Sequence, residues 1–142
     1  MVGNTDVLAL RKGRIADRID RRVALELASM SDEFVAYVGI ADIHDGFVLR
    51  VSVEERAATV VIKGDSGQEY AIHFVGVEGV EMRDPVGMEL YSLSEMRAKD
   101  PLRAFAFTNN NEDECKSLSI IATGFQIISL LANGEKRHVL DG

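Results

Sequence analysis

The chain of 142 residues is poor in the residues that crosslink small proteins or anchor them in a membrane. Its one cysteine, Cys115, cannot form a disulfide within the chain, and a reducing cytoplasm is therefore the compartment we expect. No apolar run reaches the ~18 residues that a membrane span needs. The N-terminus also lacks the pattern of a secretory signal. We expect no contact with a membrane.

The composition is that of an ordinary folded domain. Hydrophobic residues make up 46% of the chain and charged residues 27%, which argues against disorder. A chain of this length can bury roughly 68–70% of its unfolded surface, so it needs neither a disulfide nor a metal ion to fold. We predict a single domain over residues 1–142, with a helical segment at 1–40 and a β-rich body at 41–142.

Negative charge is concentrated after the first 22 residues. Residues 1–22 hold six basic and three acidic side chains, whereas the rest of the chain holds 10 basic and 20 acidic ones. A body of this charge repels phosphate backbones, so we expect no nucleic-acid partner. We expect the basic segment to be solvated or to touch the acidic face of its own domain.

Helical periodicity is strongest near the N-terminus. Apolar residues recur every four positions there, which predicts a helix over about residues 5–30 that packs this stripe on a sheet. The stripe consists of Ile15, Ile19, Val23 and Leu27. Ser31 and Asp32 can cap a second, shorter helical turn that carries Phe34 and Tyr37.

From residue 46 onward the apolar period changes from 3.6 to 2, which predicts six to eight mostly antiparallel strands between residues 46 and 140. Residues 117–131 are either one strand bulged at Gly124 or two strands that turn at Thr123 and Gly124. The predicted fold class is α+β, with an N-terminal helix packed on an antiparallel sheet or β-sandwich. The predicted core includes Phe74, Leu118, Ile120 and Ile127.

Two sequence positions suggest chemistry, and each has a structural alternative. His44 and Asp45 precede a strand and are typical of paired metal ligands, but Asp45 and Gly46 also have the chemistry of a turn. His73 lies inside a predicted strand, where a lone histidine is usually hydrogen-bonded in or beside the core. We favour the structural interpretation of both, and we predict no metal site and no cofactor. The alternative is a small enzyme or ligand-binding domain with a pocket near His44, Asp45 and His73.

Two short patterns also carry a family resemblance. They are the corner Ile43, His44, Asp45 and Gly46, followed on a later strand by Phe74, Gly76, Val77 and Val80. Together they resemble a pattern in small β-rich bacterial proteins, several of them uncharacterised and some labelled immunity proteins of polymorphic toxin systems. The resemblance implies a non-enzymatic domain that binds and blocks another protein, with the His-Asp pair as an architectural corner.

The sequence thus favours a non-enzymatic protein-binding module, immunity-like or regulatory, over an enzyme. Its acidic surface suits a basic protein partner, because complementary charge speeds encounter. The candidate partner-binding residues are Glu112, Asp113 and Glu114. A homo-oligomer formed through an exposed apolar strand or helix is compatible with either function.

Overall fold

The computed structural model describes residues 34–111 and 114–142, and in these residues it is built of β-strands. Within this part of the chain a single short 3-10 turn, Ala41–Ile43, precedes the second strand. The ten strands are β1 Phe34–Val38, β2 Phe47–Glu54, β3 Ala57–Lys63, β4 Glu69–Val75, β5 Gly79–Arg83, β6 Leu90–Met96, β7 Arg103–Asn109, β8 Ser117–Ala122, β9 Gly124–Leu130 and β10 Lys136–Asp141.

The strands form two five-stranded antiparallel sheets. The first sheet has the order β1-β6-β7-β8-β5 and the second the order β10-β9-β4-β3-β2. Five of the short turns join neighbouring antiparallel strands as hairpins, because parallel pairing requires much longer crossovers. The central strands are β7 in the first sheet and β4 in the second.

The core lies between the two sheets. Phe74 of β4 packs against Phe105 and Phe107 of β7 at ring-centroid distances of 5.4 and 6.0 Å. Phe125 of β9 contacts Phe74 and Phe105 at 5.9 and 5.3 Å. All four rings are buried, and the buried aliphatic side chains of both sheets form one cluster with them. The arrangement is a β-sandwich whose sheets are held together by their inner faces.

The connection between β8 and β9 takes the chain from one sheet to the other. Of the two alternatives left open by the sequence, the structure has two strands that separate at Thr123. Thr123 donates from its backbone N–H and its hydroxyl to the carbonyl oxygen of Val75, at 3.0 and 3.1 Å. Gly76 follows with a φ of +62°, and a Cβ there would overlap the Thr123 side chain. A glycine at residue 76 is therefore required by this crossing.

Strand β2 departs from strict alternation. The sequence pattern places Phe47, Leu49, Val51 and Val53 on one face, but the pairing with β3 shifts between Val48 and Arg50. The extra residue at Leu49 is a β-bulge, which reverses the facing of the residues before it. As a result Val48 is fully buried, whereas Phe47 is 38% exposed.

The predicted α+β class is wrong. The described residues contain no α-helix and consist of two antiparallel sheets. The helix expected over about residues 5–30, with its stripe at Ile15, Ile19, Val23 and Leu27, lies outside the described residues. No helix of residues 34–111 or 114–142 is long and apolar enough to cross a membrane.

The helical turn expected at Phe34 and Tyr37 is also wrong, whereas residues 1–33 of the expected helical segment 1–40 lie outside the described residues. These residues form β1, which pairs with β6, and the pairing shifts between Phe34 and Ala36. The extra residue at this bulge puts Phe34 and Tyr37 three positions apart on one face, a spacing that mimics a helical period.

The number of strands also differs from the prediction. The described residues form nine strands after residue 46, more than the six to eight predicted. The predicted burial of Phe74, Leu118, Ile120 and Ile127 is confirmed.

Replacing Phe74 with Ala should lower the free energy of unfolding by about 3–5 kcal/mol, because it removes the ring that joins the two sheets and leaves a cavity. Denaturant unfolding of the variant and of the wild type measures this difference. Phe47→Ala is the control, since Phe47 is a partly exposed ring outside the core cluster, and we expect a smaller loss of about 1–2 kcal/mol. Equal losses in the two variants would contradict the assigned core.

Candidate functional site: an acidic loop end and an aromatic strip

Five loops meet at one end of the sandwich. Every second connection of the chain lies at the same end of the sheets, so these loops come together although they are far apart in sequence. Hydrogen bonds link four of them, as when Asn110 donates its side-chain N–H to the Asp45 carboxylate and its backbone N–H to the Glu89 carbonyl oxygen, both at 2.9 Å. The loops span residues 39–46, 64–68, 84–89, 110–116 and 131–135.

The charge of these loops is almost entirely negative, and we call this surface the acidic loop end. Lys116 is the one basic residue in their described part. Three further basic residues, Lys63, Arg83 and Lys136, lie at strand ends on its rim. The seven acidic residues of the described loops are Asp42, Asp45, Asp65, Asp84, Glu89, Glu114 and Glu135.

The connections at the opposite end of the sandwich carry balanced charge. They span residues 55–56, 76–78, 97–102 and 123. The six charged residues in them are Glu55, Arg56, Glu78, Arg97, Lys99 and Asp100. Three are acidic and three are basic, so the fold separates a strongly negative end from a nearly neutral one.

A hydrogen-bonded cluster at Asp42 holds two of the acidic loops together, and we call Asp42, Ser66 and Tyr70 the Asp42 clip. The Asp42 carboxylate accepts from the Ser66 N–H at 2.9 Å, the Ser66 hydroxyl at 2.6 Å and the Tyr70 hydroxyl at 2.8 Å. Its backbone carbonyl accepts from the Asp65 N–H at 3.0 Å. A Cβ at Gly64 would overlap the Asp42 carboxylate, so this close approach requires glycine.

The clip shifts the pKa of both of its titratable groups. Burial acts to raise the pKa of Asp42, but the hydrogen bonds from Ser66, Tyr70 and Asp65 outweigh it, and the net pKa is lowered. Burial, the hydrogen bond to Asp42 and the negative charge of Asp42 raise the pKa of Tyr70 to about 12. The clip is therefore most stable with Asp42 ionised and Tyr70 neutral.

His44 and Asp45 form a tight turn at the entrance to β2. The Gly46 N–H donates to the Ile43 carbonyl at 2.9 Å, and Asp45 has a φ of +68°. With His44 at φ −62° and ψ 127°, this is a type II turn, in which aspartate tolerates the left-handed third position. His44 Nδ1 lies 3.0 Å from the Tyr91 carbonyl oxygen, and His44 Nε2 lies 3.6 Å from Asp45 Oδ2.

His73 is not brought to this turn. It lies on the outer face of the second sheet, opposite Thr59 and Gln126, and its Nδ1 is 2.7 Å from the Thr59 hydroxyl. It is four residues along β4 from Glu69 at the acidic loop end, which is about 13 Å of strand. Of the three residues in the alternative pocket, the structure joins His44 and Asp45 alone. The described residues contain no group of three or more metal-ligating side chains.

The predicted partner-binding residues fall in the loop between β7 and β8. Glu112 and Asp113 lie outside the described residues. Glu114 is half-buried, and one of its carboxylate oxygens is buried with no hydrogen-bond partner in the described part of the chain. Of these three residues the structure thus describes Glu114 alone, in a loop that belongs to the acidic loop end.

An exposed row of aromatic rings runs along the outer face of β1 and β6 to this end, and we call Phe34, Tyr37, Tyr91 and His44 the aromatic strip. The rings follow one another edge to face, at 4.8 Å from Phe34 to Tyr37, 6.1 Å from Tyr37 to Tyr91 and 5.2 Å from Tyr91 to His44. Phe34 is 49% exposed, Tyr37 62% and Tyr91 45%.

Sequence reasoning missed the strip and the clip for different reasons. The sequence pattern predicts a helical turn at Tyr37, and Tyr91 lies on a strand whose pairing shifts between Leu90 and Ser92. One sequence signal points to Tyr91. It follows Leu90 in an alternating strand pattern, so the two side chains lie on opposite faces and Tyr91 takes the exposed one. No local signal joins Asp42 to Tyr70, because the contact depends on where the β3–β4 turn comes to lie.

No family model, curated protein or solved structure matches this chain.

Replacing Asp42 with Asn should lower the free energy of unfolding at pH 7 by about 1–3 kcal/mol, because the hydrogen bonds in the clip go to a charged acceptor. The folded-state pKa of Asp42 is lowered, so its stabilisation is present above the ordinary value of 3.8 and is lost as the pH falls through the folded value. The difference between wild type and variant should therefore shrink toward pH 3. Urea unfolding at a series of pH values measures it.

Asp65→Asn is the matched control, since Asp65 is an exposed carboxylate in the same pair of loops. It should show no comparable pH-dependent loss. In Asp42→Asn the pKa of Tyr70 should also move from about 12 back toward 10, which absorbance of the tyrosinate reports. A Tyr70 titration unchanged by Asp42→Asn would show that the clip does not form.

Proposed function

We propose that this chain is a non-enzymatic protein-binding module, immunity-like or regulatory, whose acidic loop end meets a basic protein partner. One observation carries the proposal. The fold collects seven carboxylates and one lysine in the described loops at one end, whereas the other end is balanced. Fields from carboxylates grouped in this way add, and they steer a positively charged partner toward one surface.

The loops at this end are suited to binding because several of them are joined to one another by hydrogen bonds. The Asp42 clip joins loops 39–46 and 64–68. Lys116 joins loops 110–116 and 84–89 through the Asp84 carboxylate at 3.2 Å and the Val86 carbonyl at 2.9 Å. Loops held in place by a sandwich lose little conformational entropy on binding, which favours affinity.

The aromatic strip favours a surface that binds a partner over an acidic surface that is merely solvated. Tyrosine is among the residues that dominate binding energy at protein interfaces, because it buries a large rigid ring and keeps a polar tip. Here two exposed tyrosines lie beside the acidic loop end. The surface thus combines charge for encounter with rings for contact.

We place the module in the cytoplasm, on the basis of its single cysteine. Cys115 is free and exposed on the β7–β8 loop, a state that a reducing compartment maintains.

Neutralising three exposed carboxylates of the acidic loop end should slow association with the basic partner by about threefold to tenfold, because charges near an interface act mainly on the association rate. The variant carries Asp65→Asn, Glu89→Gln and Glu135→Gln. It avoids the carboxylates that hold loops together, so its stability should stay within about 0.5 kcal/mol of wild type. A second variant, with Glu112→Gln, Asp113→Asn and Glu114→Gln, should slow association in the same direction.

The matched control removes three exposed carboxylates from the opposite end, by Glu54→Gln, Glu55→Gln and Asp100→Asn. Proteins that co-purify with wild-type chain from host extract are identified, expressed alone and measured by surface plasmon resonance at low and high salt. The proposal requires a basic partner and a slower association rate in the acidic-end variants alone. It also requires that the difference in association rate disappears at about 1 M salt, where the Debye length falls to about 3 Å. An acidic partner, or equal rates for both sets of variants, would contradict it.

His44→Ala and His73→Ala distinguish the module from the enzyme alternative. If the chain works by binding, His73→Ala should leave association with the partner unchanged, because His73 lies on the second sheet away from the acidic loop end. An enzyme would be favoured if both histidine variants still bound the partner but no longer produced the effect that the wild-type chain has in the host cell.

A further inference from the structure

We propose that the aromatic strip, together with Asp45 at its end, is the docking surface for arginine side chains of the basic partner. The inference rests on the proposed function and goes further, because it names the residues that make contact and the side chain that they recognise. Arginine suits this surface by shape as well as by charge, since its planar guanidinium stacks on rings and pairs with carboxylates.

The strip presents ring faces and a carboxylate side by side. Each ring is turned by 61° to 80° from its neighbour, and the rings of Phe34, Tyr37 and Tyr91 are exposed enough for a partner to contact them. The last ring, His44, lies next to Asp45, whose carboxylate is half-exposed. A cation that contacts the His44 end of the strip therefore lies near the Asp45 carboxylate, which is 3.6 Å from His44 Nε2.

The strip is held in place before any partner arrives. The Tyr37 and Tyr91 rings pack edge to face at 6.1 Å, and the neighbouring Tyr91 hydroxyl raises the pKa of Tyr37. His44 is fixed to the Tyr91 carbonyl, and Asp45 accepts from Asn110. Rings that are already ordered lose little rotamer freedom on binding, which is an advantage for a contact surface.

Charge complementarity decides between arginine and an apolar occupant. An apolar segment would gain from the rings but would leave Asp45 beside an uncharged surface and close to the other carboxylates of the acidic loop end. A guanidinium gains from both, because a cation within about 6 Å of a ring centroid is attracted to the ring face and can also donate to a carboxylate.

The chain itself contains the same combination. Arg103 donates from Nε and Nη2 to the two carboxylate oxygens of Glu95, at 3.0 and 2.8 Å, and its Cζ lies 5.0 Å from the centroid of the Phe105 ring. In that internal pair an arginine is held by a carboxylate and an aromatic face together. The aromatic strip offers an equivalent pair of groups to an arginine from outside.

The test uses three synthetic nine-residue peptides with capped termini, alike except that alternate positions are arginine, lysine or citrulline. Citrulline keeps the shape of arginine and removes its charge. In NMR titrations of the wild-type chain, the arginine peptide should shift the ring signals of Tyr37 and Tyr91. The lysine peptide should bind about threefold more weakly, since cation–π and bidentate contacts favour arginine. The citrulline peptide should bind at least about tenfold more weakly.

Variants of the chain then locate the contact. Replacing Tyr37 and Tyr91 together with Ala should weaken arginine-peptide binding about fivefold to tenfold, whereas replacing both with Phe should change it less than about twofold, because the ring faces remain. Phe47→Ala removes an exposed ring outside the strip and should have no effect. The comparison of the three peptides uses the wild-type chain and does not depend on how any variant folds.

Two results would overturn the inference. One is equal binding of the arginine and citrulline peptides, and the other is arginine-peptide binding that Tyr37→Ala with Tyr91→Ala leaves unchanged. If the tyrosine variant still binds the peptide while the acidic-end variant with Asp65→Asn, Glu89→Gln and Glu135→Gln does not, the strip is not the contact and the proposed function stands. Failure of the proposed function itself is reported separately, by the association rates with the natural partner.

Discussion

Packing of phenylalanine rings between the two sheets is the interaction on which the rest of the structure depends. Phe74 lies on the central strand of one sheet and contacts Phe105 and Phe107 on the central strand of the other. These rings remove a large apolar area from water at the point where the sheets face each other. Since each sheet alone would expose an apolar face, this contact makes the sandwich, and the sandwich in turn decides which loops are neighbours.

The acidic loop end follows from that architecture. Carboxylates are costly to bury, so they collect in turns, and the sandwich delivers five of its turns to the same end. Two contacts then stabilise the grouping, the Asp42 clip between two loops and Lys116 between two others. The surface that results is negative in its loops and aromatic along β1 and β6, and the proposed binding of a basic partner rests on this combination.

Agreement between sequence pattern and structure is closest where strands are regular. Along β4 the alternation places Phe74 inside and His73 outside, as its sequence indicates. The pattern fails at bulges, since one extra residue reverses the facing and is invisible in composition. Bulges at Val35 and Leu49 made Phe34 and Tyr37 resemble a helical pair and hid the burial of Val48. Turn residues such as Asp45 with Gly46 were predictable, because their backbone preferences are local.

Local sequence is sufficient for the regular strands, the turn at Asp45 and Gly46, the burial of Phe74 and the excess of negative charge, because each depends on residues close together in the chain. Which strands share a sheet depends on the tertiary structure, and so do the contacts of the candidate site between distant residues. Asp42 reaches Tyr70 across 28 positions, and Tyr37 meets Tyr91 from another strand. A local pattern predicts which face of a strand a side chain lies on. The neighbours of that side chain depend on the pairing between distant strands, and this pairing is selected by the core packing of the whole domain.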